Sequence, residues 1–547
     1  MTKAALPNDI DTLKEMIAER DKALNDKSRS LDQITKIIDQ HEKALEEKNK
    51  HINILEQYLR VLKAKQFGRS SERHVSDNQE SLFNEAEQLD EESEQVEQDQ
   101  RLETPDTDKE KPKPKNKPGR RRLPESLPRH KVYHELDEQA KQCDCGCELE
   151  AFDEVLSEQL GIIPAELYVI QHCRKKYRCT HCKDKAPVTA PLPPQPFPKS
   201  HASPELMANI VVSKFLDGLP FYRQEAIWKR VDIHLPRATL ANWSIAGGKL
   251  IQPLINLFKE MQQQGRVTHI DETPVQVLKE PDKPPDGKKH FWVTVGGPES
   301  KIILFHYNPS RGSDVARDLL TGTQGAVISD DWQVYGKVCD ALQLTHIACN
   351  DHARRRFDEA LKAEPKKKKT TTISKAEMGL NFYKKLYAIE HRIKNASPEE
   401  KYRARQAQSL PVWESFMAWI EKHLNSVAPE PKLGKALHYT WKLRDKLSHY
   451  CENGELPISN EKAENAIRPF AIARKNFLFY DTPRGATASA NLYSLIMTAK
   501  SHGLNPFYYL AYVFKSLPLA KTVEDIEALL PWQVDDARLK ASFSRIG

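Results

Sequence analysis

Apolar residues recur every seven positions through the first part of the chain: Ile17, Leu24, Leu31, Ile38, Leu45, Ile52 and Leu59 form one unbroken row. The companion row is broken, with Leu13, Ile34, Leu55 and Leu62 apolar but Arg20, Lys27, His41 and Lys48 polar. A row sustained over seven heptads predicts a coiled coil across residues 8–66, and with it a homo-oligomer. The polar breaks predict a loose or register-selective pairing. The competing reading is one long amphipathic helix packed on its own protein. Gly68, in Phe67-Gly68-Arg69-Ser70-Ser71-Glu72-Arg73, is a plausible cap for that helix.

A proline-rich break, Pro191 to Pro198, precedes three stretches of helical period, expected over Pro204–Leu216, Tyr222–Lys229 and Arg237–Ile255. Leu219-Pro220 and Leu235-Pro236 introduce the second and third. Across residues 200–258 this gives a helix-turn-helix rhythm, with Arg237 at the start of the last helix suited to phosphate or base contact. Ordinary helical packing produces the same rhythm. From Arg266 the period becomes that of strands, expected at Val267–Leu278, His290–Gly296, Ile302–Tyr307, Ala326–Ser329 and Thr345–Ala348, the first three as an antiparallel meander. Helices are expected at Ser313–Leu320, from about His352, and at Glu377–Ile393, Glu399–Gln408 and Pro411–Leu424. Residues 264–480 therefore read as an α/β region with a helical insertion at about 364–455, and 481–547 as a helical tail.

Charge changes this picture more than composition does. The net charge of +6 over 547 residues is modest but unevenly placed. Residues 77–108 are rich in Glu, Gln and Asp, with almost no apolar content, and are expected to be disordered. The sign flips at Lys109, and lysines alternating with Pro and Gly lead to Arg120, Arg121 and Arg122. Such a basic arm can lie along phosphates or in a minor groove, or can simply be a solvated linker over 77–125. The four lysines Lys366 to Lys369 carry the same two readings. Nothing resembles a signal peptide or a membrane span, so a soluble, cytoplasmic, nucleoid-associated protein is expected.

Six of the nine cysteines lie between Cys143 and Cys182. The close set Cys143, Cys145 and Cys147, followed by Cys179-Thr-His-Cys182, has zinc-ribbon spacing, because two short knuckles can give four thiolates to one tetrahedral ion. Residues 130–190 are thus expected to bind structural Zn²⁺ through Cys143, Cys145, Cys179 and Cys182, with Cys147 as an alternative and Cys173 and His181 spare.

Three carboxylates stand out by setting. Asp271 lies in Thr268-His269-Ile270-Asp271-Glu272-Thr273-Pro274, within a strand, and Glu272 should point to the opposite face. Asp330 and Asp331 end the apolar run Ala326-Val327-Ile328-Ser329. Glu461 and Glu464 fall three apart on a helix that continues to Arg468. A strand Asp, a strand-end Asp and a helix Glu are the oxygen ligands a two-metal phosphodiester site needs. His352, Arg354 and Arg355 open one nearby helix, and Arg468, Arg474 and Lys475 lie on another; guanidinium forks grip phosphate oxygens, or neutralise clustered acids.

Several of these motifs occur together and in order: His269-x-Asp271-Glu272-Thr273-Pro274, Ser329-Asp330 followed by Tyr335, Cys349-x-x-His352-x-Arg354-Arg355-x-Phe357, and Asn460-x-x-Ala463-Glu464-x-Ala466-x-Arg468-Pro469. Together they resemble the DDE transposases of the IS66 insertion-sequence family, from about Leu55 to about Trp532. The family's tryptophan after its cysteine is Asn350 here. The resemblance implies a multidomain protein with an α/β ribonuclease-H-like catalytic core. Matching motifs select Asp271, Asp330 and Glu464 as the catalytic ligands of two Mg²⁺ ions, with Mn²⁺ as a substitute. The implied activity is cleavage at element ends and strand transfer into target DNA, with small accessory proteins as partners. A catalytically silent DNA-binding protein and a metal-dependent nuclease are the alternatives.

Overall fold

The computed structural model of the protein describes residues 10–67, 167–177, 188–192, 195–197, 200–364 and 373–543. The linker with Arg120, Arg121 and Arg122, the cysteines Cys143, Cys145, Cys147, Cys179 and Cys182, and Lys366 to Lys369 lie outside those residues. The chain divides into two compact units, Leu102–Pro193 and the remainder. In the smaller unit a two-residue ladder pairs Lys176–Tyr177 with Val188–Thr189, antiparallel. Among the described residues no helix is long and apolar enough to cross a membrane.

The heptad region is one continuous helix, α1, Ile10–Phe67. Six members of its unbroken apolar row, Ile17, Leu24, Ile38, Leu45, Ile52 and Leu59, are 50–64 % exposed. Near its C-terminal end Gln57 Oε1 accepts the backbone N–H of Lys432 at 3.2 Å.

Four helices follow: α2 (Pro204–Phe215), α3 (Phe221–Lys229), α4 (Arg237–Leu250) and α5 (Gln252–Gln262). Ser203 caps α2 by accepting the Leu206 N–H at 3.2 Å. The expected single helix Arg237–Ile255 is two. Pro253 has no N–H to give the Lys249 carbonyl, so the chain breaks at Ile251 and restarts with Pro253 in the first turn of α5.

The sheet has five strands: β1 (Val267–Val275), β2 (Lys289–Gly296), β3 (Ile302–Asn308), β4 (Ala326–Ser329) and β5 (Thr345–Ala348). Their spatial order is β3-β2-β1-β4-β5. The first three form the expected antiparallel meander, while β4 runs parallel to β1 and β5 parallel to β4. β1 stops short of the expected Leu278 because the chain changes partner there: Leu278 N donates to Tyr480 O at 2.9 Å and Lys279 N to Asp481 O at 3.0 Å.

The remaining helices are α6 (Ser313–Leu320), α7 (Gln333–Ala341), α8 (Asn350–Ala363), α9 (Lys375–Arg392), α10 (Pro398–Ala404), α11 (Leu410–Leu424), α12 (Lys432–Lys442), α13 (Arg444–Ser448), α14 (Glu461–Phe477), α15 (Pro483–Ser501), α16 (Pro506–Ser516), α17 (Val523–Glu527) and α18 (Asp536–Phe543). One face of β1 and β2 buries Ile270 and Trp292 against Val315, Tyr335 and Val338 of α6 and α7. The other face, with β3, buries Val293, Phe291 and Phe305 against α5, α14 and α15, and this core takes in α2 and α16 as well. α4 joins it at close range: a Cβ at Gly248 would stand 2.6 Å from the Ala488 carbonyl of α15, so Gly248 is what lets the two backbones meet. The helices expected as a helix-turn-helix are thus built into the same core as the sheet, with Arg237 exposed at the tip of α4.

A third cluster joins β4 and β5 to α8, α9, α11 and α12. The expected helices Glu399–Gln408 and Pro411–Leu424 are one rod, α10 running into α11 through a wider turn at Arg405–Ser409. Arg405 is buried in that turn. Its Nη1 donates to the carbonyls of Tyr450, Asn453 and Leu456, each at 2.8 Å, and it pairs with Glu390 through Nε and Nη2 at 2.9 and 2.7 Å. One guanidinium therefore ties α9, the rod and the turn-rich stretch leading to α14 into a single body.

Candidate functional site

Parallel pairing sets His269 of β1 opposite Ile328 of β4. Asp271, within β1, and Asp330, just past the end of β4, each two residues further on, therefore stand side by side. Alternation along β1 turns His269 and Thr273 toward α14: His269 Nδ1 meets Asn460 Oδ1 at 3.1 Å, and Arg474 Nη1 donates to Thr273 Oγ1 at 3.2 Å. Asp271 shares their face. Asn460 stands just before α14, and its Nδ2 donates to the Ile270 carbonyl at 3.0 Å. The start of α14 is thereby bonded to the residue before Asp271, and its first turn carries Glu464, which is 4 % exposed.

The gathered charge is visible in the acids' proton affinities. Burial, then the charges of Glu272 and Asp330, hold the Asp271 carboxyl well above the usual range, with Arg355 opposing. Burial, then Glu272, push Asp330 up to about 6, against the Trp332 N–H that its Oδ1 accepts at 3.0 Å and the Arg311 charge. Asp331 stands aside, half-buried, with Lys442 Nζ at 3.5 Å. Glu461, the other candidate on α14, is exposed and accepts from Asn465 Nδ2 at 3.2 Å.

Glu272 does lie on the opposite face of β1, where it is clasped by Arg311 and by the Tyr335 hydroxyl. It is not remote: it is the foremost like charge raising both Asp271 and Asp330. The Arg311 guanidinium also stacks on Trp332, 4.5 Å from the ring centre. Sequence reasoning missed Arg311, because only the fold of the loop before α6 brings it to β1.

The basic residues divide. Arg355 is half-buried and faces Asp271. Lys475 is exposed, and Arg468 half-buried one turn beyond Glu464. Arg354 was expected at a DNA surface, but it is 5 % exposed and lies against Asp351 in the interior, where it offsets a buried carboxylate that also accepts the Tyr387 hydroxyl. Arg474 spends Nη1 on Thr273 and on the Pro274 carbonyl, holding β1 to α14. His352 turns its ring to Glu464, Nδ1 to Oε1 3.6 Å; burial and then Arg355 and Arg356 hold it well below the ordinary histidine range. Cys349 lies beside the same carboxylate, Sγ to Oε1 3.9 Å.

Comparison with known proteins matches this chain to four family descriptions: "Transposase IS66 family" over residues 199–488, "IS66 C-terminal element" over 494–532, "Transposase C of IS166 homeodomain" over 54–132, and "zinc-finger binding domain of transposase IS66" over 140–183. Among individual proteins it resembles three from Sinorhizobium fredii (strain NBRC 101917 / NGR234). The protein named "Uncharacterized protein y4jD" is 30 % identical over 424 residues, 75 % of this chain and 81 % of that one. "Uncharacterized protein y4qI" is 27 % identical over 97 % of this chain and 98 % of its own length. "Uncharacterized protein y4hP" is 26 % identical over 77 % of each.

Proposed function

This chain belongs to the IS66 transposase family, and from that premise we propose that it is an active DNA transposase whose cleavage and strand-transfer chemistry rests on Asp271, Asp330 and Glu464. The observation that carries the reading is the register that sets Asp271 of β1 beside Asp330 at the end of parallel β4, with burial and then Glu272 raising both proton affinities and Asp330 adding to that of Asp271. Glu464 joins them on a helix whose start is bonded to the residue before Asp271. The strand order β3-β2-β1-β4-β5, an antiparallel meander followed by two parallel strands, supports a ribonuclease-H-like core. The helices between α8 and α14 are read as its insertion.

The donor set fits hard divalent cations: three carboxylates with surplus negative charge that Arg355 and Arg311 only partly offset. Bound there, two Mg²⁺ ions, or Mn²⁺ in their place, would supply Lewis acidity for the attacking and leaving oxygens. The chain's own contribution is positioning. Asn460 and Arg474 fix α14 on β1, so the Glu464 carboxylate is held without loop freedom. Arg355 beside Asp271, with Arg468 and Lys475 along α14, gives the site a basic margin for DNA phosphates, whose contacts orient the strand without reading its sequence. Arg237 and the basic arm with Arg120, Arg121 and Arg122 extend the DNA-binding reading, and the exposed row of α1 is read as a pairing surface between copies. Cys143, Cys145, Cys179 and Cys182, with Cys147 as the alternative, are read as the Zn²⁺ ligands of the zinc-finger region.

The test is in-vitro strand transfer with matched element ends and Mg²⁺. Joined product from wild type, absent in Asp271→Asn with end binding retained, is expected. Specific end binding without any cleavage by wild type would make this a silent DNA-binding protein, and cutting without joining a nuclease.

A further inference from the structure

Cys349 closes β5, His352 lies in the first turn of α8, and Glu464 in the first turn of α14. Their sulfur, nitrogen and oxygen ligand atoms all lie within 4.8 Å of one another. Two of those separations are 3.9 Å, Sγ to Oε1, and 3.6 Å, Nδ1 to Oε1. In a tetrahedral zinc site, bonds of about 2.0–2.3 Å set ligand atoms roughly 3.3–3.8 Å apart, so the three close on an ion with shifts of about an ångström or less.

Two further observations point to an ion. The Nδ1 atom of His352 is enclosed and has no hydrogen-bond partner, an omission that proteins seldom tolerate without a compensating ligand. The Cys349 sulfur accepts the backbone N–H of Asn460 at 3.2 Å, the outer hydrogen bond that steadies a metal-bound thiolate. A thiolate and an imidazole select zinc-like ions over Mg²⁺, whereas a carboxylate serves either.

We propose that Cys349, His352 and Glu464 form a three-ligand site for a borderline transition ion of the zinc class, and that this ion competes with Mg²⁺ for Glu464. Only the competition rests on the transposase reading. Binding stands on the three side chains alone, and three protein ligands leave a fourth position to water. An ion held here removes the helix acid from the pair on the strands, so zinc restrains the chemistry that Mg²⁺ supports.

The experiment uses full-length protein, stripped by chelator and dialysed against Zn²⁺, with bound zinc counted by elemental analysis. Cys349→Ser and His352→Asn, each matched to wild type by circular dichroism, are expected to carry one zinc fewer than wild type. Cys179→Ser is expected to lose a different one, from the zinc-finger region. In strand transfer with Mg²⁺, the zinc concentration that halves the wild-type rate should rise at least tenfold in Cys349→Ser. Equal zinc content in wild type and in both Cys349→Ser and His352→Asn overturns the site. A lost equivalent with wild-type transfer indifferent to zinc keeps the site and overturns the competition. A lost equivalent in a wild type that transfers no strands keeps the site and sinks the transposase reading instead.

Discussion

Replacing Asp330 by Asn should stabilise the metal-free protein at neutral pH and leave it unchanged in acid. The folded Asp330 carboxyl is raised from 3.8 to about 6 by burial and by Glu272. A raised carboxyl binds its proton more tightly folded than unfolded. Its contribution to stability is therefore full below about pH 4 and lost as pH rises through about 6. Two units correspond to about 3 kcal/mol, and because the side chain is only half-buried about 1–3 kcal/mol is the range to expect. The amide keeps Oδ1 for the Trp332 N–H, so no hydrogen bond is forfeited. Spread over a core of this size, at roughly 2 cal/mol/K per residue, the gain is on the order of 1–4 °C. Thermal unfolding of both proteins at pH 4 and pH 7.5, with chelator and then with Mg²⁺, measures it. Asp330→Asn should unfold later at pH 7.5 with chelator, match wild type at pH 4, and gain less from Mg²⁺. An Asn variant less stable at pH 7.5, or a difference independent of pH, would refute the idea that like charge is stored between β1 and β4.

Other expectations follow from the same geometry. Asp271→Asn and Glu464→Gln should abolish cleavage and joining while end-specific DNA binding stays nearly intact, whereas exposed Glu461→Ala should retain activity; the reverse pattern on α14 would show that the wrong helical acid had been chosen. Arg405→Ala should cost about 3–5 kcal/mol in denaturant unfolding, since it strands Glu390 and the buried carbonyls of Tyr450 and Leu456; a loss under 1 kcal/mol would mean that the apolar cluster alone holds the rod. Replacing Leu24 and Ile38 together by Glu should shift the protein to a smaller species in sedimentation velocity, and a wild type already monomeric with DNA present would assign α1 to its own chain.

Most strands of the sheet were legible as short runs rich in apolar and β-branched residues, while β1 carries His269, Asp271 and Glu272 between its apolar positions. Ala326–Ser329 and Thr345–Ala348 match to the residue. What could not be read was partner exchange: nothing local at Gln276 announces that the chain leaves β2 for Tyr480. α7 escaped notice because it is only nine residues long and contains Gly336, although Val334, Tyr335, Val338 and Cys339 do fall at helical spacing. The two strand acids were legible as strand residues, yet their approach depends on register, which the sequence of either strand alone does not contain. Arg354 and Arg355 look alike in sequence, and only the turn of α8 separates the one inside from the one facing Asp271. Pro253, by contrast, did announce a helix break that the apolar period overrode.

The helix acid lies beyond the rod, while both strand acids precede it, and on the ribosome that distance becomes time. At about 5–20 residues per second, Glu464 leaves the exit tunnel roughly 7 to 27 seconds after Asp330. The meander and β4 can assemble in that interval, but α14 can dock on Ile270 only after the rod before it has been made. A nascent chain thus holds two acids without the third. If the three act together, competence switches on only once α14 has been made, and a product truncated before it stays harmless however well its sheet has formed.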